Sequence, residues 1–213
     1  MQAKSWPPGR GTISAVPATD APRLTSERLV LRAWTDDDRR PLEALCADPV
    51  VMAHFPAPLT PAGTFDLLAR SDRTWADHGF GLWAVELLPT APTGPAACIG
   101  TVGLARADWL APGTVEVLWR LAAAHWGHGY APEAATVALA FAFLQLGLDE
   151  VVALTVPANT RSLRVMEKIG MVHDPARDVD HPRVDPAAHP HLVRHAVWSV
   201  TRDDWLALHA DHV

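Results

Sequence analysis

The run with most chemical content lies between Val115 and Ala134, where an apolar strand, Val115 to Leu121, leads through Trp126-Gly127-His128-Gly129-Tyr130-Ala131-Pro132 into an apolar helix. Glycines two apart let backbone N–H groups approach a ligand with no Cβ in the way. A helix start with Pro132 in its first turn adds unpaired donors and a partial positive charge. Together these features form a cradle for a diphosphate that needs no lysine, suited to coenzyme A as much as to a nucleotide. A dinucleotide fingerprint needs a third glycine where Pro132 stands, and a Walker loop needs Gly-Lys-Ser/Thr, which is absent. Taken alone, Gly-X-Gly is also the spacing of an ordinary tight turn from strand to helix.

Glu116 is the one carboxylate within the Val115–Leu121 strand. Alternation turns it to the face opposite Val115 and Val117. Buried there, it would have a raised pKa and could accept a proton near neutrality; on an exposed face it would be a solvated or paired carboxylate. Asn159-Thr160-Arg161-Ser162 opens a later helix, so Asn159 and Ser162 have a capping role to set beside any polar role in a site. His189, His191 and His195, with His173 and His181 upstream, have spacing that could ligate a metal. No cysteine accompanies them, and the expectation is no metal site but a loop bordering a cleft.

The surrounding elements read as one mixed α/β (or α+β) domain over residues 23–213, preceded by a flexible leader, 1–22. Leu29 to Leu31 suits a first strand; Thr35 with Asp36 to Asp38 caps a first helix, and a second starts near Thr60-Pro61, carries Phe65, Leu68 and Trp75 and stops at Gly79. Gly81 to Leu88, Cys98 to Leu104 and Val115 to Leu121 then read as strands, joined by a turn-rich Pro89–Pro95 connector. Gly100 and Gly103 suggest a bulge or close backbone approach. The long apolar helix ends at Gly147, Val151 to Val156 is a buried strand, Leu163 to Ile169 a helix closed by Gly170, and Val193 to Val200 a last strand.

Composition narrows the classes of partner. The 213 residues are 49% hydrophobic and 20% charged, enough for a sizeable core. The formal charge of −6 gives no general attraction for nucleic acid or anionic lipid, and is mildly favourable to cationic acceptors. The apolar run Ala134 to Leu144 is too short to span a bilayer as a helix. Residues 1–22 are rich in proline and glycine and lack a signal peptide's apolar stretch. Cys46 and Cys98 read as reduced thiols, which together with the foregoing suggests a cytoplasmic protein that binds neither nucleic acid nor membrane.

Gly127-His128-Gly129-Tyr130-Ala131-Pro132-Glu133-Ala134 resembles the acyl-CoA loop of the GCN5-related N-acetyltransferases (GNAT), in particular their RimJ/RimL-like branch. Leu24 to Arg32 resembles that branch's opening strand, Asp48-Pro49-Val50-Val51-Met52 the end of its first helix, Asn159 to Met171 its second CoA-contacting helix, and Val197 to Val200 its last strand. The motifs fall in the family's order over about residues 24 to 206.

The resemblance implies a curved mixed sheet flanked by helices, with splayed fourth (Val115–Leu121) and fifth (Val151–Val156) strands and the pantetheine arm of acetyl-CoA between them. By position, Trp119, Arg120 and Leu121 would offer backbone to that arm, Trp126, Gly127, His128, Gly129, Tyr130, Ala131 and Pro132 would hold the pyrophosphate, and Asn159 would bond the arm from the other lip. Trp126 stands where the family often has Gln or Arg, and its indole is expected against the sheet or the adenine. Glu116 is the candidate base and Ser162 the polar candidate near the sulfur. His54 and Phe55 fall where the acceptor is lined. Met166 and Leu154 replace a tyrosine and a glutamate that many members use in catalysis. The implied activity is acetyl transfer from acetyl-CoA to a primary amine, a protein N-terminus or a small molecule; the alternative is a non-catalytic acyl-CoA-binding module. A homodimer is compatible with the resemblance.

Overall fold

A computed structural model describes residues 21–88 and 97–210. Most of the leader and the Pro89–Pro95 connector fall outside the described residues.

A nine-stranded sheet runs through the molecule. Strands β1 (Leu24–Thr25), β2 (Leu29–Arg32), β3 (Leu82–Leu87), β4 (Ala97–Arg106) and β5 (Val115–Leu121) follow one another as antiparallel neighbours. β6 (Glu150–Thr155) lies parallel to β5, and β9 (Arg194–Thr201) runs antiparallel to β6. The short β7 (Val172–His173) and β8 (Val179–Asp180) both pair with β9. Because β1 precedes the strand expected first, the expected fourth and fifth strands are β5 and β6.

The helices are α1 (Arg39–Ala47), α2 (Pro61–His78), α3 (Tyr130–Ala140), α4 (Thr160–Lys168) and α5 (Arg202–Leu208). α2 has the expected ends: the Thr60 hydroxyl accepts from the Gly63 amide, and Gly79 closes it in the left-handed region at φ 73°. Trp75 is buried on this helix, edge-on to Trp83 with ring centroids 4.9 Å apart, whereas Phe65 is exposed. α3 is shorter than its apolar run. It passes at Phe141–Gln145 into a wider turn in which the Leu146 amide reaches the Phe141 carbonyl.

The main core lies between the sheet and α3, and includes Val102, Leu104, Val115, Val117, Ala138 and Leu139. A smaller cluster of Trp34, Leu42, Leu45, Cys46 and Ala84 forms under α1. β4 is pressed against both neighbours. A Cβ on Gly100 would collide with the Arg120 carbonyl and one on Gly103 with the Gly81 carbonyl, and a bulge interrupts the β3–β4 register opposite Gly100. Only glycine allows this approach.

Candidate active site

The two edges of β5 differ. Toward β4 it has seven register pairs, from Arg106↔Val115 to Gly100↔Leu121. Toward β6 it has one, Glu116↔Val152, and the strands then part. The Ala122 amide donates to the Ile99 carbonyl at 2.9 Å. Alternation in an antiparallel ladder therefore turns Arg120 and Leu118 toward β4 and leaves the amides of Trp119 and Leu121 pointing into the opening. Of the expected backbone contributors, Trp119 and Leu121 thus face the wedge, whereas the Arg120 backbone is committed to β4.

The turn after β5 completes the opening. Gly127 and Gly129 have φ of 81° and 82°, the left-handed region in which a Cβ is strained. The Glu133 amide closes the first helical turn on the Gly129 carbonyl. Among the described residues, the amides of Gly127, His128, Gly129, Tyr130 and Ala131 have no protein acceptor. They form a concave array of donors at the start of α3.

Arg28 props this turn from behind. Its guanidinium donates to the His128 carbonyl at 3.0 Å, pairs with Glu133 at 2.5 Å and lies 4.8 Å from the Tyr130 ring centroid. Glu133 also accepts from the Ser26 hydroxyl and the Arg28 amide. These bonds outweigh burial and hold its carboxyl below the usual range. Sequence reasoning missed this role for Arg28, because nothing local ties it to a partner 105 positions along.

The wedge opens into a cavity of about 680 Å³ whose lining includes every expected site residue except His128. His128 instead stacks on Tyr130, with ring centroids 5.5 Å apart. The Trp126 indole binds the sheet: its Nε1–H donates to the Leu121 carbonyl at 2.7 Å, leaving Leu121 only its amide for a ligand. The Arg161 guanidinium lies 4.7 Å from the Trp126 ring centroid, joining α4 to the β5 side. Arg161 was not expected at the site.

Asn159 caps α4 by accepting from the Ser162 amide, and its own amide group donates to the Thr155 and Ser162 hydroxyls at 2.9 and 3.0 Å. Both its side-chain N–H groups are therefore used within the protein. It orients two hydroxyls at the cavity wall, and the Ser162 hydroxyl proton stays available for a ligand.

Glu116 projects into the cavity. Burial pushes its carboxyl up to about 7, with Arg183 pulling weakly the other way. Among the described residues its carboxylate has no hydrogen-bond or ion-pair partner. Leu154 and Met166 also reach the lining, and Met166 belongs to the main core. His54 and Phe55 line the opposite side from the α1–α2 connection, and His181, Arg183 and His195 from the segment before and within β9. The His181 and His195 rings are 5.0 Å apart, and both titrate below the usual imidazole range, chiefly through burial. His54 is lowered by burial too, with help from Arg161. Among the described residues no group of three or more His, Cys, Asp and Glu is placed to hold a metal ion.

The family model described as "Acetyltransferase (GNAT) domain" matches residues 28–172. The uncharacterized protein YkkB of Bacillus subtilis is 31% identical over 150 residues, which cover 70% of this chain and 84% of YkkB. The crystal structure of an acetyltransferase from Agrobacterium tumefaciens has a TM-score of 0.67 and 30% identity, covering 84% of this chain and 94% of that one. The spermidine N-acetyltransferase of Vibrio cholerae, crystallised with CoA and spermine, shares the fold at a TM-score of 0.65 and 18% identity, covering 85% of this chain and 99% of that one. The matched segment holds β5, the 127–131 turn, β6 and α4, and by it the chain belongs to the GNAT acetyltransferase family.

Proposed function

We propose that this protein is an acetyl-CoA-dependent N-acetyltransferase of the RimJ/RimL-like branch, acting on a primary amine as a cytoplasmic, single-domain enzyme. The observation that carries this reading is the row of unpaired amides, from Trp119 and Leu121 to Gly127–Ala131, ending beside a carboxyl whose burial lifts it to about 7. The 127–131 amides and the start of α3 fit a pyrophosphate, and the open edge of β5 fits the amide-bearing pantetheine arm.

Acetyl-CoA, the cosubstrate of the family, supplies an acetyl group on a thioester that an amine can attack directly. The amine must be neutral to attack, and an α-amine has a reference pKa of about 8. Glu116 lies within about one unit of that value, a good match for proton removal near neutrality. In this reading a backbone amide at the open edge of β5 bonds the thioester oxygen as charge develops there. In this reading Ser162, whose oxygen accepts from Asn159, donates a hydrogen bond to the departing sulfur. It need not give up its proton to the thiolate.

The absence of the tyrosine and glutamate counterparts at Met166 and Leu154 favours a second reading, a binding module without turnover. Calorimetry with acetyl-CoA, joined to thiol release with a panel of amines, separates the two. The enzyme reading expects binding, turnover and a kcat/KM that rises with pH and levels off above about 7, since Glu116 acts only when ionised. Glu116→Gln should lower kcat/KM about 100-fold or more and remove that inflection. Binding with no amine-dependent thiol release would leave the module reading standing.

A further inference from the structure

Within that reading, the cavity's charge bears on the acceptor. The chain as a whole is acidic, at −6, yet the cavity is lined by Arg120, Arg161, Arg164, Lys168 and Arg183 against the single carboxylate of Glu116. Three of the five cations sit on α4, on the side of the 127–131 turn where Arg161 covers Trp126. They suit the phosphates of CoA. Arg120 and Arg183 lie outside α4, and Arg183 is the one that acts on Glu116.

Seven arginines of the described chain pair with carboxylates, whereas Arg120 and Arg183, like Arg161 and Arg164 of the same cavity, have no carboxylate partner among the described residues. Arg120 is held over the Phe55 ring at 4.6 Å with one amino group on the Cys46 sulfur at 3.2 Å, and its buried Nε–H has no partner. A buried donor left unpaired is costly, and a ligand is one way to satisfy it. Arg183 is exposed and close enough to Glu116 to act on its ionisation. The same cavity is lined by Phe55, Leu118 and Leu192, and by His181 and His195, which burial disfavours as cations.

We propose that the acceptor is a small amine with an apolar body and a carboxylate of its own, the carboxylate held by Arg183 while the amino group faces Glu116. Guanidinium recognises a carboxylate through parallel N–H donors, and such a group beside a single base gives the amine one productive orientation. A polycation would meet one carboxylate in a cavity lined by five cations.

The test compares matched pairs differing only in the carboxylate: phenylalanine with phenethylamine, leucine with isoamylamine, and spermidine as the polycation, at fixed acetyl-CoA. The expected result is a kcat/KM about 10- to 100-fold higher for the carboxylate-bearing member, the range for a charge-assisted contact. Arg183→Gln should collapse that ratio through KM, and Arg183→Lys should restore part of it. Preference for spermidine or the plain amines would overturn this inference and leave acetyl transfer standing. So would an Arg183→Gln loss of equal size on both members of each pair. Bound acetyl-CoA with no thiol release from any amine would overturn both.

Discussion

β5 shows two ways of treating the same backbone. On its β4 side every residue is registered, and β4 carries glycines where a side chain would collide with the neighbouring strand. On its β6 side one pair is made and the sheet then gives way. The first edge supports the fold and the second withholds its hydrogen bonds. Unpaired strand amides are normally a liability to be covered. Here they face a cavity continuous with the turn whose amides also lack acceptors among the described residues, so the candidate site is built largely from main chain.

Substitutions should separate the two edges. Gly103→Val, on the closed side, forces a branched side chain into the Gly81 carbonyl and the Leu82 backbone. It should cost roughly 3 kcal/mol of stability, read from denaturant unfolding, through overpacking that backbone cannot relieve. Gly127→Val, on the open side, has free space for its Cβ but a φ of 81°. It should weaken acetyl-CoA binding about tenfold by calorimetry, at a local strain of about 1–2 kcal/mol. Arg28→Ala removes the prop behind the turn without touching its amides. Its expected effect is the smallest, about threefold in acetyl-CoA affinity, because two ordered backbone turns remain. Equal losses of stability from Gly103→Val and Gly127→Val would remove the distinction between the edges.

Much of this arrangement is legible in the sequence where local rules decide it. Val115 to Leu121 is a strand with the expected ends, Thr60 and Gly79 bound α2 as capping chemistry requires, and the left-handed glycines at 127 and 129 follow from the Gly-X-Gly turn. What escapes is decided at long range. β7 and β8 are two residues each and exist through β9, so no periodicity marks them. Which backbone groups of 119–121 face the wedge depends on the register with β4. The acidic balance suggested a cationic acceptor, but net charge is a whole-chain sum, and folding gathers Arg120, Arg161, Arg164, Lys168 and Arg183 around one carboxylate. Asn159, expected to reach for the ligand, spends its amide group on Thr155 and Ser162, a choice fixed by the end of β6 rather than by α4 alone.

Residue-resolved amide exchange by NMR, with and without CoA, reads the open edge of β5 and the turn after it. Exchange should slow on CoA addition at Trp119, Leu121 and Gly127 to Ala131, with Leu118 and Arg120, already bonded to β4, little changed. Protection that ignores this alternation, or none at all at the 127–131 turn under saturating CoA, would contradict a CoA site built from main chain.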